Sequence, residues 1–187
     1  MNNSEIFQRN PSTAKLLNDG VAAVSEGSTQ KEIDTLRYEI DHFVCEGQYK
    51  EGMIRILESF IGNVGSPVQP AAWVSGFFGS GKSHLLKMLR HLWVDTKFSD
   101  GATARGLVSL PQEVADLLKE LSTVGKRHGG LHAASGTLPS GGGASVRLTV
   151  LGIVLKSKDL PESLPQARFC IWLQKNGFYD KVRKSVE

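Results

Sequence analysis

Eight consecutive residues, Gly76-Phe77-Phe78-Gly79-Ser80-Gly81-Lys82-Ser83, match the spacing G-x-x-x-x-G-K-[ST] of a phosphate-binding loop. The glycines allow backbone angles that are closed to other residues, so successive N–H groups can point at one anion. The Lys82 ammonium is expected to reach the β- and γ-phosphates, and the Ser83 hydroxyl is expected to help hold Mg²⁺. The sequence therefore predicts a site for the phosphate groups of a nucleotide.

The predicted ligand-binding residues are Gly76, Phe77, Phe78, Gly79, Ser80, Gly81, Lys82, Ser83 and His84, and the predicted Mg²⁺ ligand is Ser83. Phe77 and Phe78 are large for such a loop; they are either core anchors or pack on a neighbouring element, and the core is favoured. His84 stands in the first turn of the following helix, where it either approaches a phosphate or is a surface histidine. A purely structural glycine turn is the alternative interpretation of the whole segment.

The residues around the loop predict the elements that would position it. Residues 71–75 form a short apolar run before Gly76, which is typical of a buried strand, and leucines at helical spacing follow Lys82. A phosphate-binding loop normally joins a strand to a helix. We therefore expect an α/β fold, with the N-terminal portion of a P-loop NTPase domain over residues 67–187 and a helical N-terminal segment over residues 1–66.

Further helices are predicted where apolar residues recur at helical spacing. The ranges are 31–46, 53–61, 82–95, 111–122, 166–175 and 178–186. The first two are expected to form an antiparallel pair with an acidic outer face. Residues 146–155 fit a buried helix capped by Ser145 or a buried strand, and the helix is favoured. Residues 124–143 are rich in glycine, with residues 131–134 as a candidate strand.

The predicted site lacks the residues that hydrolysis needs. A carboxylate at the end of a second buried strand normally holds Mg²⁺, and no such pattern follows Ser83. Five arginines are present, but no pattern assigns one of them as an arginine finger: Arg90, Arg105, Arg127, Arg147 and Arg168. We therefore assign no catalytic residue, and we expect the chain to be the N-terminal part of a longer ATPase.

Composition and charge narrow the class of protein. The 187 residues carry a net charge of +3, with 40% hydrophobic and 22% charged residues, which excludes a fully disordered chain. Cys45 and Cys170 have no partner at metal-ligand spacing, so both are expected to be reduced and mostly buried. His128 and His132 are disfavoured as a metal pair because two glycines separate them. With no apolar run long enough for a membrane span and no basic leader, we expect a cytoplasmic protein.

The charge is unevenly distributed along the chain. Residues 1–70 hold six basic and ten acidic side chains, a net charge of −4, and residues 71–187 hold sixteen and nine, a net charge of +7. The acidic part suggests an alternative function, a non-catalytic assembly module that docks partner subunits through Glu39, Glu46 and Glu58. The basic part suggests a weaker alternative, direct nucleic-acid binding, although its charges are not clustered.

The loop and its surroundings resemble a known family. Residues 69–85 resemble the start of the BrxC family of large P-loop ATPases from bacteriophage-exclusion (BREX) defence systems. Residues 6–11, 18–22 and 43–49 look similar as well, and so do residues 129–138. The likeness covers nearly the whole chain and is most specific around the loop.

This resemblance implies ATP as the nucleotide, with Mg²⁺, and an AAA-like architecture similar to origin-recognition ATPases. It implies a subunit of a multi-protein bacterial system that blocks phage replication, with other BREX subunits as partners. Nucleotide-controlled homo-oligomerisation and a role on DNA are further implications. ATPase activity is expected of the longer protein, with its remaining catalytic residues beyond Glu187.

Overall fold

The computed structural model describes residues 29–138 and 145–186, which form eight α-helices. The bounds are α1 Gln30–Asp41, α2 Gly47–Asn63, α3 Lys82–Val94, α4 Ala104–Leu107, α5 Gln112–Arg127, α6 Val146–Lys156, α7 Leu164–Lys175 and α8 Tyr179–Val186. Helices were predicted at each of these places except α4. The lead-in over residues 1–28 and the end of the glycine-rich stretch, residues 139–144, lie outside the described ranges.

The expected α/β fold is wrong, because the described residues contain no β-sheet. Residues 71–75 form neither helix nor paired strand, and Trp73 in their centre is 92% exposed. Within the described ranges, an isolated antiparallel bridge between Lys97 and Thr103 is the sole strand-like pairing. A strand needs hydrogen bonds to a neighbouring strand. The other candidate strands cannot pair with residues 71–75, since residues 146–156 are helical and residues 131–134 are irregular.

Local sequence signals explain where α1 begins and ends. Thr29 and Glu32 form a capping box on α1, with the Glu32 carboxylate accepting from the Thr29 N–H at 3.0 Å. The helix ends at Asp41, before the predicted position 46, and the chain then buries Phe43 and Cys45 in the core. Apolar spacing over residues 31–46 therefore continued past the end of the helix because these two side chains are core residues of a loop.

One large core joins α1 to α5. Its fully buried members include Ile40, Met53, Leu57, Met88, Leu92, Val114, Leu118 and Leu121. Helix α2 packs mainly against α5, and α1 packs against α4, so the expected antiparallel pair of α1 and α2 is not formed. Glu39 is also buried, with its carboxylate 2.5 Å from the Lys87 ammonium.

Arg105 links the C-terminal end of α3 to the middle of α5. Its Nε donates to the carbonyl of Leu92 at 2.6 Å, and its Nη2 donates to the carbonyl of Trp93 at 2.9 Å. Its Nη1 donates to the carbonyl of Leu118 at 2.8 Å and to the Ser122 hydroxyl at 2.6 Å. The α3 carbonyls belong to the last turn of that helix, where intrahelical partners are missing. The side chain therefore holds α3 against α5.

Helices α6, α7 and α8 form a smaller group with few buried side chains, among them Leu155, Ala167 and Leu173. Residues 131–138 connect this group to the large core, and His132 Nε2 lies 2.8 Å from the Ser157 hydroxyl. None of the helices in residues 29–138 and 145–186 has the length and apolar character needed to cross a membrane.

Candidate functional site: the glycine loop before α3

The glycine loop is formed at the N-terminus of α3 without a sheet beneath it. Gly79 and Gly81 have φ of +79° and +77°, in the left-handed region that favours glycine. Gly81 is the N-cap of α3 and has no side chain to accept from the first N–H groups of the helix. The turn is closed by a bond from the Ser80 N–H to the Phe77 carbonyl at 3.2 Å. The first turn of α3 is thus left open to an anion.

The Lys82 ammonium folds back over the loop. Its Nζ donates to the carbonyls of Gly76 at 2.9 Å and Phe77 at 2.6 Å, and it lies 3.4 Å from the Ser80 hydroxyl. A Cβ on Gly76 would lie 2.8 Å from Ser80 Oγ, so a larger residue there would displace the Ser80 hydroxyl. The loop therefore wraps closely around the positive charge that the motif supplies.

Tyr49 of α2 forms a hydrogen bond to the backbone of the loop. Its hydroxyl donates to the Ser80 carbonyl at 2.8 Å, and a Cβ on Gly81 would collide with that hydroxyl. The Tyr49 ring packs against Phe43 with the ring centroids 6.2 Å apart. Sequence reasoning did not assign Tyr49 to the site. It stands 31 residues before Ser80, and no spacing rule connects the two positions.

The remaining predicted site residues have mixed outcomes. Phe77 and Phe78 are 90% and fully exposed, so the expectation that they are core anchors is wrong. Ser83 is exposed in the first turn of α3. His84 is half-buried and packs edge-on against Phe43, with the ring centroids 5.7 Å apart. Burial lowers the pKa of His84 and outweighs the nearby Glu39 carboxylate, which raises it.

A groove of about 1040 Å³ runs from the loop along α2. One wall is the segment of residues 70–77, and the other is the α2 face around Tyr49, Gly52 and Arg55. Among the described residues no carboxylate lines it, so Lys82 and Arg55 give the groove positive charge. Predominantly apolar concave surfaces with a few polar groups are typical ligand sites.

Other groups proposed from the sequence do not join this site. The five candidate arginines do not line the groove, and Arg105 binds backbone carbonyls instead. Cys45 and Cys170 are free thiols, buried and half-buried respectively. In the part of the chain that the structure describes, no three His, Cys, Asp or Glu side chains cluster as metal ligands.

Comparison with known proteins does not extend this description. No protein-family model matches the chain, and no solved structure matches it. The similarity to BREX ATPases is therefore an expectation that depends on the sequence residues given above.

Proposed function

We propose that the loop of residues 76–83 binds the phosphate chain of a nucleoside triphosphate together with Mg²⁺. The observation that supports this most directly is the Lys82 ammonium folded over a loop with two left-handed glycines, at an uncapped helix N-terminus. An ammonium, open N–H groups and the positive end of a helix dipole all favour a polyanion. A structural glycine turn needs none of the three.

Each loop residue has a role in this proposal. The Lys82 ammonium exchanges its carbonyl partners for phosphate oxygens, and the N–H groups of the loop and first helical turn donate to the same phosphates. Ser83 contributes its hydroxyl to Mg²⁺. The lining residues that the structure describes supply no carboxylate, so the metal enters with the nucleotide. Tyr49 holds the Ser80 carbonyl and so keeps the loop in shape.

We infer the wider role from the resemblance. The chain is an ATP-binding subunit of a BREX defence complex in the cytoplasm, where nucleotide binding drives assembly or remodelling on DNA with other BREX subunits. Catalysis by this chain is not proposed, because no lining side chain in the described ranges can serve as a carboxylate base.

Titration calorimetry on the 187-residue chain tests the binding proposal. Mg²⁺ with ATP and Mg²⁺ with tripolyphosphate are the ligands, and Lys82→Ala is the variant. Lys126→Ala is the matched control, because Lys126 is an exposed lysine on α5 outside the loop. We expect Lys82→Ala to lose at least about tenfold in affinity for both ligands, the effect of one charge-assisted contact, and Lys126→Ala to bind normally. Equal affinity in the parent and Lys82→Ala would contradict the proposal.

The structure weakens the assembly alternative at one of its three residues. Glu39 is 3% exposed and paired with Lys87, so it is not available to a partner. Glu46 and Glu58 are exposed. We therefore propose no docking function for the acidic face.

A further inference from the structure

We infer that the groove between α2 and residues 70–77 holds the base and ribose of the nucleotide whose phosphates occupy the loop. This inference rests on the proposed function and adds the part of the ligand that the loop motif does not specify. The ligand class is a nucleoside triphosphate with an aromatic base, bound along the groove and not by its phosphates alone.

Continuity between the loop and the groove is the first argument. Gly76, Ser80 and Lys82 belong to the loop and also line the groove. A phosphate chain held by Lys82 therefore has its nucleoside end at the groove entrance. Pockets for drug-sized ligands measure about 300–1,000 Å³, and a groove of about 1040 Å³ has room for a whole nucleotide.

The side chains along the groove are the second argument. Phe60 and Trp93 form an edge-to-face pair with centroids 4.5 Å apart, and Trp73 on the opposite wall is 92% exposed. An exposed tryptophan beside an aromatic pair offers faces on which a planar base can stack. The Arg55 guanidinium adds hydrogen-bond donors for base or ribose oxygens.

Charge favours a nucleotide over an apolar peptide as the occupant. The groove has a positive end at Lys82 and a second cation at Arg55, and none of its described lining residues is acidic. A peptide strand would leave the Lys82 end without a counter-charge. A nucleoside triphosphate satisfies both ends, with its phosphates at Lys82 and its base among the aromatic rings.

Two glycines in the same helix provide a matched test. Gly52 lines the groove, and a Cβ built on it meets nothing within 4 Å, so Gly52→Leu puts a side chain into the groove without a backbone clash. Gly62 is also in α2, also has nothing within 4 Å of a Cβ, and does not line the groove. Gly62→Leu is therefore the control. Both variants are titrated with Mg²⁺ and ATP and with Mg²⁺ and tripolyphosphate.

The parent chain is expected to bind ATP about 5- to 100-fold more tightly than tripolyphosphate, the effect of stacking one base. Gly52→Leu should reduce this ratio towards one and leave tripolyphosphate binding unchanged, and Gly62→Leu should keep the ratio of the parent. Equal binding of ATP and tripolyphosphate by the parent would overturn the inference and leave the proposed function standing. If Gly52→Leu leaves the ratio of ATP to tripolyphosphate affinity unchanged, the base binds elsewhere and the inference is also overturned.

Gly52 lies one helical turn from Tyr49, which contacts the loop. If Gly52→Leu also weakens the binding of tripolyphosphate, a second variant decides whether the inference holds. Trp73→Ala removes an exposed ring from the opposite wall, and Trp172→Ala removes a 52% exposed ring on α7 outside the groove. We expect only Trp73→Ala to lower the ratio of ATP to tripolyphosphate affinity. If it does not, the inference fails. Binding of neither ligand by the parent would refute the proposed function itself.

Discussion

At the scale of single residues, the loop depends on glycine for two different reasons. Gly79 and Gly81 share nearly the same left-handed φ, but their surroundings differ. A Cβ at Gly79 meets nothing within 4 Å, whereas a Cβ at Gly81 collides with the Tyr49 hydroxyl. The first position needs glycine for its backbone angle alone. The second needs it for the angle and for the contact with α2.

This difference predicts unequal effects of two alanine substitutions. Gly79→Ala should lower tripolyphosphate affinity about 5- to 30-fold, because a left-handed non-glycine residue costs about 1–2 kcal/mol. Gly81→Ala carries the same cost and also displaces the Tyr49 hydroxyl from the Ser80 carbonyl, so we expect at least a further threefold loss. Titration calorimetry on both variants measures the difference.

The Tyr49→Phe background is the control for this comparison, because it removes the hydroxyl and keeps the ring that packs on Phe43. In that background the difference between the two alanine variants should shrink, although the ring Cζ stays 3.1 Å from a Cβ on Gly81. A difference of unchanged size would mean that the Tyr49 hydroxyl is not its cause.

At the scale of elements, Arg105 determines how α3 meets α5. Four donor contacts from one half-buried guanidinium reach backbone carbonyls and one hydroxyl. Burial lowers the pKa of Arg105, although Asp95 nearby raises it. Removing the side chain takes this donor from the carbonyls of Leu92 and Trp93 in the last turn of α3, which is more costly than losing an exposed bond.

Arg105→Ala should therefore lower the free energy of unfolding by about 2–4 kcal/mol. Arg127→Ala, at the exposed end of α5, should change it by only about 0.5 kcal/mol. Arg105→Lys keeps the charge but loses the planar fork, and should be intermediate. Urea unfolding followed by circular dichroism measures all three. An Arg105→Ala protein as stable as Arg127→Ala would show that these contacts contribute nothing.

Sequence patterns predicted the helices well and the strand badly, for a physical reason. Helical spacing is a property of one segment, so α3, α5, α7 and α8 were located from their own residues. A strand depends on a second segment beside it, and the apolar run at residues 71–75 contained no information on whether a partner exists. In the residues that the structure describes, no strand pairs with this run, and Trp73 in its centre is therefore exposed to solvent.

In the candidate site as well, the parts that are local in sequence were predictable and the parts that depend on packing were not. The loop glycines and Lys82 were identified by their spacing, because a phosphate cradle is local in sequence. Tyr49 and the groove were not, since they arise from the packing of α2 beside the loop. Phe77 and Phe78 were assigned to the core because they are apolar, and the described part of the chain forms no sheet for them to pack against.

At the scale of the whole molecule, stability comes mainly from the core shared by α1 to α5, and His91 makes that core sensitive to acid. Burial, with Arg90 and Lys87 nearby, lowers the pKa of His91 to about 4. Its Nδ1 lies 2.9 Å from the Thr96 hydroxyl. The ordinary pKa of histidine is about 6.5. Between pH 6.5 and pH 4 the unfolded chain therefore takes up a proton that the folded chain does not.

The free energy of unfolding should thus fall as the pH is lowered from about 6.5 to 4, and His91 should contribute up to roughly 3 kcal/mol of that fall. His91→Asn keeps a polar atom near Thr96 and cannot be protonated. Its stability should decline less over the same interval, as measured by urea unfolding at several pH values. Carboxylates that titrate there affect both proteins equally, so parallel curves would contradict the assignment to His91.

The Lys82 ammonium is bonded to two carbonyls of its own loop. If the loop binds polyphosphate as proposed, the ligand competes with those carbonyls for the same N–H donors. The apparent Kd then equals the intrinsic Kd divided by the fraction of molecules in which the ammonium is released. Where release comes before binding, the observed association rate levels off at the rate of release as the ligand concentration rises. The chain's own backbone is thus a built-in competitor of its ligand.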